Sequence, residues 1–235
     1  TLNELVYLKG KIIKEEMTKD NSVNIYDYNT ESIELVADTS SRNGWYIPEI
    51  NDIRFSEDNV KLWFGYKPLS EYYSKPKDTT EITKDNLYDT DLILDKTELY
   101  LWHPKDPEII TEQINDWDKI KDGIYYSIYD INKKKLNYLT DSNEKGVNYS
   151  NNSNFTLQQD FEPYKRLVTY SGWYQDLYCL DINNGGKTLI VNKLEENPSL
   201  SPNGTYTVYF KDKIWYSHNN KTNTTIKLND KLEVP

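Results

Sequence analysis

Leu177-Tyr178-Cys179-Leu180-Asp181-Ile182-Asn183, then Asn184-Gly185-Gly186, then Lys187-Thr188-Leu189-Ile190-Val191 is the stretch on which the fold turns. A short alternating run ends in Asp, a polar turn follows, and a second run rich in β-branched residues begins. Asn-Asn-Gly-Gly supplies residues that accept positive φ, as tight hairpin turns require. The same phrase returns elsewhere. Asn24-Ile25-Tyr26-Asp27-Tyr28-Asn29 leads to Ser32-Ile33-Glu34-Leu35-Val36, and Ser127-Ile128-Tyr129-Asp130-Ile131-Asn132 leads to Lys135-Leu136-Asn137-Tyr138-Leu139-Thr140. A looser copy, Lys213-Ile214-Trp215-Tyr216-Ser217-His218, leads to Thr224-Thr225-Ile226-Lys227-Leu228. Leu99-Tyr100-Leu101-Trp102-His103-Pro104 is assigned the same place in a longer unit.

A second signature precedes some copies. Arg54-Phe55-Ser56-Glu57-Asp58-Asn59-Val60-Lys61-Leu62-Trp63-Phe64 and Ser199-Leu200-Ser201-Pro202-Asn203-Gly204-Thr205-Tyr206-Thr207-Val208-Tyr209 both read strand, Ser-led polar turn, strand. Joined, the two signatures make a four-stranded antiparallel module, the blade of a β-propeller. A β-sandwich predicts similar strands but not this repeated two-part phrase. At about 40–45 residues per blade, the chain holds roughly four to five. The expectation is therefore all-β: one partial or small β-propeller region over residues 1–235, with approximate units 1–40, 45–115, 120–145, 147–195 and 196–235. Residues 67–94, with Pro68, Pro76 and a charged, Thr-rich centre, read as a long inserted surface loop. Thr111 to Asp122 reads as a helical turn or a connector.

Composition agrees with many half-buried strands. Hydrophobic residues make up only 37%, yet 21 Tyr, 6 Trp and 5 Phe supply large contact areas that tolerate a wet edge. A formal net charge of −10 repels phosphate backbones, and no basic stripe with interleaved aromatics offsets it, so nucleic acid is not an expected partner. No apolar run approaches the roughly 18 residues of a membrane-spanning helix. The N-terminal residues do not read as a signal peptide; with one already removed, a periplasmic or secreted location would fit. One cysteine, Cys179, excludes an internal disulfide and reads as a buried small hydrophobe.

Candidates for chemistry are sparse, and the expectation is no catalytic, cofactor or metal residue. A serine triad needs a His beside a Ser nucleophile and an orienting carboxylate, but His103 and His218 fall at equivalent places on strand ends, which suits blade decoration. Ser171-Gly172-Trp173-Tyr174 lacks the glycine before the serine that a nucleophile elbow uses, and reads as a loop with a buried Trp. Asp89, Asp91 and Asp95, and likewise Asp116, Asp118 and Asp122, do not fit a calcium loop and read as solvated turn residues. Paired carboxylates contributed by different blades remain possible for glycoside hydrolysis, and nothing in the sequence singles out a pair. The sequons at Asn148, Asn154, Asn203, Asn220 and Asn223 read as compositional coincidence. Trp63, Trp102, Trp173 and Trp215 are expected to be mainly structural.

Tyr100-Leu101-Trp102-His103-Pro104-Lys105-Asp106-Pro107, followed by Glu112-Gln113, resembles a Trp-x-Trp-Lys-Asp…Gln phrase of propellers in Bacteroidetes peptidases of the prolyl oligopeptidase (S9) type. His103-Pro104 depart from its second half. In the same order come Pro163-Tyr164, Gly172-Trp173 and Asp176-Leu177-Tyr178; then Leu200 to Tyr206; then Trp215-Tyr216 to Leu228, leading into Leu232-Glu233-Val234-Pro235. The resemblance covers roughly residues 25–235. It implies a propeller seated over an α/β-hydrolase domain whose Ser, Asp and His act in a G-x-S-x-G setting, and a propeller that restricts entry to short or unfolded peptides. The chain has no G-x-S-x-G, so no catalytic residue carries over, and it is expected to be a portion of such a propeller. Its expected partners are a peptide substrate or a hydrolase domain in cis. The other reading is a stand-alone TolB-like module that binds a protein or glycan. Open blade edges predict closure by a terminal strand or self-association through those edges.

Overall fold

The computed structural model describes residues 3–10, 20–72, 83–90, 103, 105–141 and 146–229. These fold into four antiparallel sheets that follow one another along the chain. Sheet one has the order β1 (Glu4–Lys9), β2 (Ser22–Asp27), β3 (Ser32–Ala37). Sheet two runs through β6 (Lys61–Pro68), β7 (Tyr125–Asp130) and β8 (Lys135–Tyr138), with two short strands, β4 (Trp45–Tyr46) and β5 (Arg54–Phe55), sharing the free side of β6. Sheet three holds β9 (Phe155–Asp160), β10 (Gln175–Asp181) and β11 (Lys187–Leu194), and Val147 adds an antiparallel bridge to Gln158 of β9. Sheet four is β12 (Ser199–Leu200), β13 (Tyr206–Lys211), β14 (Ile214–Asn219) and β15 (Thr224–Lys227).

The repeated phrase of the sequence is a repeated turn. Asp27, Asp130, Asp181 and Asn219 each end a strand, and each side chain accepts a backbone N–H two or three residues on: from Asn29 at 2.7 Å, Lys133 at 2.9 Å, Asn183 at 2.8 Å and Lys221 at 2.9 Å. Four residues after the capping residue the backbone takes positive φ, at Glu31 (51°), Lys134 (51°), Gly185 (75°) and Asn223 (54°). The cap fixes the first half of the turn, and the left-handed residue turns the chain back into register.

The Ser-led turns are alike in the same detailed way. The Ser56 hydroxyl accepts the Lys61 N–H at 2.9 Å, and that of Ser201 accepts the Tyr206 N–H at 2.9 Å. Asn59 and Gly204 supply the positive φ, at 58° and 73°. These turns also join neighbouring sheets: Ser153, beside sheet three, donates to Asp58 of the β5–β6 turn, and Asn154 reaches the Asn203 carbonyl of sheet four at 3.4 Å.

The sheets stack face to face through alternating side chains. From β6, Leu62, Phe64 and Tyr66 pack with Val23, Ile25 and Val36 of sheet one, while Trp63 points the other way, to Leu180 and Ile182 of sheet three. Leu157, Leu177 and Leu194 then meet Tyr209 of sheet four. Every residue of β6 is buried, as expected of a strand covered on both faces. Midway along β6, between the stretches paired by β4 and β5, the Asn51 side chain replaces a neighbouring strand. It accepts the Gly65 N–H and donates to the Gly65 carbonyl, both at 2.8 Å.

The pairing departs from the sequence-based units in one place. Units 45–115 and 120–145 read as separate blades, but β6 pairs with β7 over six residues, so both belong to sheet two. Lys67 and Pro68, the expected start of a surface loop, are the last residues of β6. Lys67 is buried, and its ammonium donates to the Lys121 carbonyl. The connection between β6 and β7 therefore runs over residues 69–124. It contains a 3₁₀ turn, Leu69–Glu71, and a helix, α1 (Ile110–Asp122), where a helical turn or connector was expected. Leu99 to Trp102 and Pro104 lie outside the described residues, as do Pro76, Asp91 and Asp95. Four strands per module holds for sheet four, and for sheet three with the Val147 bridge counted.

Candidate functional site

In an antiparallel sheet of sequential hairpins, alternate connections fall at opposite ends. The tight Ser-led and Asp-led turns share one end; the long connections within sheets two and three, 69–124 and 161–174, share the other. Between those connections lies a cavity of about 500 Å³. Its inner wall is Ile124, Tyr125 and Tyr126 from the start of β7, with Val147 and Gly146 from the strip leading into sheet three. Ile124 can lie directly on β6 because residue 65 is glycine: a Cβ there would sit 2.4 Å from the Ile124 Cβ.

Helix α1 and the residue pair before it form the acidic wall. Glu112 and Asp116, four residues apart, lie on one side of the helix, and together with Glu108, just before it, and Glu71 they line the cavity. The opposite wall is Phe161, Lys165 and Val168, around the 3₁₀ turn Glu162–Leu167, and Trp173. Among the described lining residues one cation therefore faces four carboxylates, and it is already paired: the Lys165 ammonium is 2.9 Å from Glu108 and 2.9 Å from Glu162. Burial works against the charge on Lys165, but these two carboxylates outweigh it and raise its pKa. Glu71 accepts a hydrogen bond from the Tyr125 hydroxyl at 2.7 Å. Thr140 also lines the cavity; it is 5% exposed, and its hydroxyl oxygen has no hydrogen-bond partner. Among the described lining residues the site combines apolar and aromatic surface with several carboxylates.

The residues singled out in the sequence are mostly elsewhere. Cys179 is buried in β10, and burial pushes its thiol up to about 12, which disfavours the thiolate. His218 is buried in β14 with Nδ1 2.8 Å from the Thr225 hydroxyl, and burial lowers its pKa. His103 is exposed and caps a turn, its Nδ1 accepting the Lys105 N–H at 3.0 Å. The two histidines thus differ in setting. The Ser171 hydroxyl lies 3.4 Å from the Tyr174 hydroxyl. Among the described residues no three His, Cys, Asp or Glu side chains gather as a metal site would require. Asn148, Asn203 and Asn220 bond to Gln159, Thr205 and Gly204 in turns and strand ends.

One expectation about tryptophan needs correction. Trp173 is 65% exposed at the cavity mouth, because it follows the tight turn at Gly172 (φ 128°), which lifts it off the sheet. Trp215 is 48% exposed on the outer face of sheet four, beside the Phe210 ring. Trp63 is fully buried between sheets two and three, and Trp102 lies outside the described residues. Asp116, grouped by sequence with Asp118 and Asp122, belongs with Glu112 and Glu108. The spacing of four, not of two, carries the signal on a helix.

The sequence matches no family model and no curated protein. Among solved structures it is similar to an oligogalacturonate lyase in complex with manganese, at 10% identity over 96% of this chain and 50% of that one, with a TM-score of 0.41. It is similar to a prolyl endopeptidase at 9% identity over 96% of this chain and 28% of that one, with a TM-score of 0.41. It is also similar to dipeptidyl peptidase 4 of Porphyromonas gingivalis, at 12% identity over 94% of this chain and 32% of that one, with a TM-score of 0.42. The chain spans half the length of the first of these and 28% of the second.

Proposed function

We propose that the four sheets are consecutive blades of a β-propeller, and that this stretch works by docking a peptide rather than by catalysis. In the parent protein it would guide peptides to a hydrolase domain lying outside these residues. The observation that carries the docking role is the cavity between the long connections of sheets two and three, with its acidic helix wall and its aromatic mouth. The propeller reading is supported by the order of the sheets, by their face-to-face packing, and by the two turn types that recur at one end. The outer faces of sheets one and four add support. Ile33, Leu35, Trp215 and Ile226 are exposed there, the same kind of surface that the inner sheets bury against each other. The peptidase connection rests on the resemblance in the sequence, and the binding of a protein or glycan by a free-standing module is the competing reading.

The deciding experiment is an immunoblot of the source cells combined with labelling by a serine-directed fluorophosphonate. A labelled band far above 27.8 kDa supports a propeller joined to a serine hydrolase. An unlabelled band near 27.8 kDa overturns the peptidase part and leaves a binding module.

A further inference from the structure

The exposed faces at the two ends of the stack differ in kind. The residues that cap the Asp-led turns, Asp27, Asp130, Asp181 and Asn219, put the four sheets on one scale. Four residues before each cap stand Val23, Tyr126, Leu177 and Trp215. The first three all point forward along the stack: Val23 joins the core shared with sheet two, Tyr126 that shared with sheet three, and Leu177 that shared with sheet four. One residue before the cap the side chain points back instead. The Tyr129 hydroxyl donates to Glu34 of sheet one, and Leu180 joins the core shared with sheet two. Seven residues past the cap it points forward again, where Glu34 accepts from Tyr129 and Asn137 donates to the Asn183 carbonyl at 3.2 Å. Trp215 and Ile226 hold these forward positions on sheet four, and both are exposed. Tyr26 holds the backward position on sheet one, between Leu5 and Ile33 in register, and those two are exposed. Among the described residues the stack therefore ends in one open forward face and one open backward face.

We propose that a second copy of this chain covers these faces, sheet four of each copy packing on sheet one of the other, so that two chains close one ring. The pairing rests on the reading of the sheets as propeller blades. Because the stacking has a direction, the forward face of sheet four repeats the observed contact only against a backward face, never against another sheet four. Both faces suit a dry contact. The alternating positions of β13, β14 and β15 that share the outer face of sheet four carry no charged residue, although 28% of the chain is charged. Tyr206, Trp215, Ile226 and Leu228 are exposed on it, and Leu5, Tyr28, Ile33 and Leu35 on sheet one. Each set offers roughly 400 Å² of side chain, the size at which a surface patch usually serves as an interface. Two such contacts bury about 1,600 Å², which is what a stable association needs. Two copies of four sheets make a ring of eight, within the usual range of about four to eight blades, and a third copy exceeds it. Closure also leaves no apolar face at either end, whereas an unclosed head-to-tail contact propagates into a filament.

The test uses the whole chain at micromolar concentration, in sedimentation velocity and light scattering. The parent should run at twice 27.8 kDa, with no larger species. Trp215→Lys with Ile226→Lys charges the forward face, and Ile33→Glu with Leu35→Glu charges the backward one. All four positions are exposed, so each variant should keep the fold, checked by circular dichroism, and run as a monomer. Mixing the two variants should restore the dimer, because one contact then meets Lys with Glu and the other is unaltered. A dimer that survives either pair of substitutions overturns the head-to-tail contact, since four-on-four, one-on-one or edge association needs only one face or none. Two monomers that fail to pair on mixing overturn it as well. A parent that is monomeric throughout overturns the pairing and leaves the blade reading, which rests on the order of sheets within one chain. Parent polymers that lengthen with concentration overturn the closed ring and the blade reading with it.

Discussion

Asp130 ends β7, and Lys61 begins β6 directly opposite it in register. Their side chains are 4% and 3% exposed, and the Lys61 ammonium donates to Asp130 Oδ2. The Lys133 ammonium lies 3.3 Å from the same oxygen, and Oδ1 accepts the Lys133 N–H of the turn. Burial alone would raise the pKa of Asp130; the Lys61 and Lys133 contacts outweigh it and bring the value down to about 2. Asp130→Asn keeps the shape and an acceptor for the turn, but it strands the Lys61 charge between two sheets. Breaking a buried pair from one side costs about 3–5 kcal/mol. The pKa gives a second measure: a fall from 3.8 to about 2 corresponds to roughly 2–3 kcal/mol at about 1.4 kcal/mol per unit. Both place the loss at a few kcal/mol, which should lower the urea midpoint at neutral pH by about 1–2 M. Because the folded pKa is depressed, this stabilisation is complete above about pH 4 and is lost as the pH falls toward 2. The gap between parent and variant should therefore close over that window. Adding Lys61→Met to Asp130→Asn removes the stranded charge and should recover much of the loss. The reasoning fails if Asp130→Asn stays within about 1 kcal/mol of the parent at neutral pH, or if the double variant is no more stable than Asp130→Asn.

Three further outcomes are expected of the turns and faces. Asn51→Ala leaves both backbone groups of Gly65 without the side chain that satisfies them. It should cost about 2–3 kcal/mol in a thermal melt, and a loss under about 0.5 kcal/mol would mean that water replaces Asn51 at no penalty. Glu31→Gly relieves a left-handed residue (φ 51°) at the position where sheet three already has Gly185. A gain of about 1 kcal/mol is expected from the same melt, while Glu31→Val should destabilise. The outer face of sheet four and β15, an edge strand among the described residues with every residue exposed, should make the chain self-associate. Sedimentation velocity over a concentration series should show this, and Trp215→Lys with Ile226→Lys should abolish it; a parent that stays monomeric throughout refutes the idea.

The hairpins were legible because their determinants are local. The cap, the left-handed residue and the returning strand all fall within a few residues of Asp27, Asp130, Asp181 and Asn219, so the sequence displays the complete set of interactions that forms each turn. The partnership of β6 and β7 is of another kind. Nothing in the sequence of either strand marks β6 and β7 as neighbours; β6 finds β7 because a strand buried on both faces must satisfy its backbone on both edges, however long the excursion between them. Residues 69–124 therefore read as the remainder of one unit and the start of another.

The candidate site was hidden for a related reason. Its carboxylates come from the 3₁₀ turn after β6, from helix α1 and from Glu108 just before it, and its aromatics come from the start of β7 and from a loop of the next sheet. The spacing of Glu112 and Asp116 becomes a face only once the segment is known to be helical, and in the sequence Thr111 to Asp122 reads as a helical turn or a connector. In this fold the repeated hairpins set the positions of the long connections, and the connections, which do not repeat, carry what is particular to the molecule. The same division explains why Trp63, set by the repeat, is core, while Trp173, set by an insertion, stands at the cavity mouth.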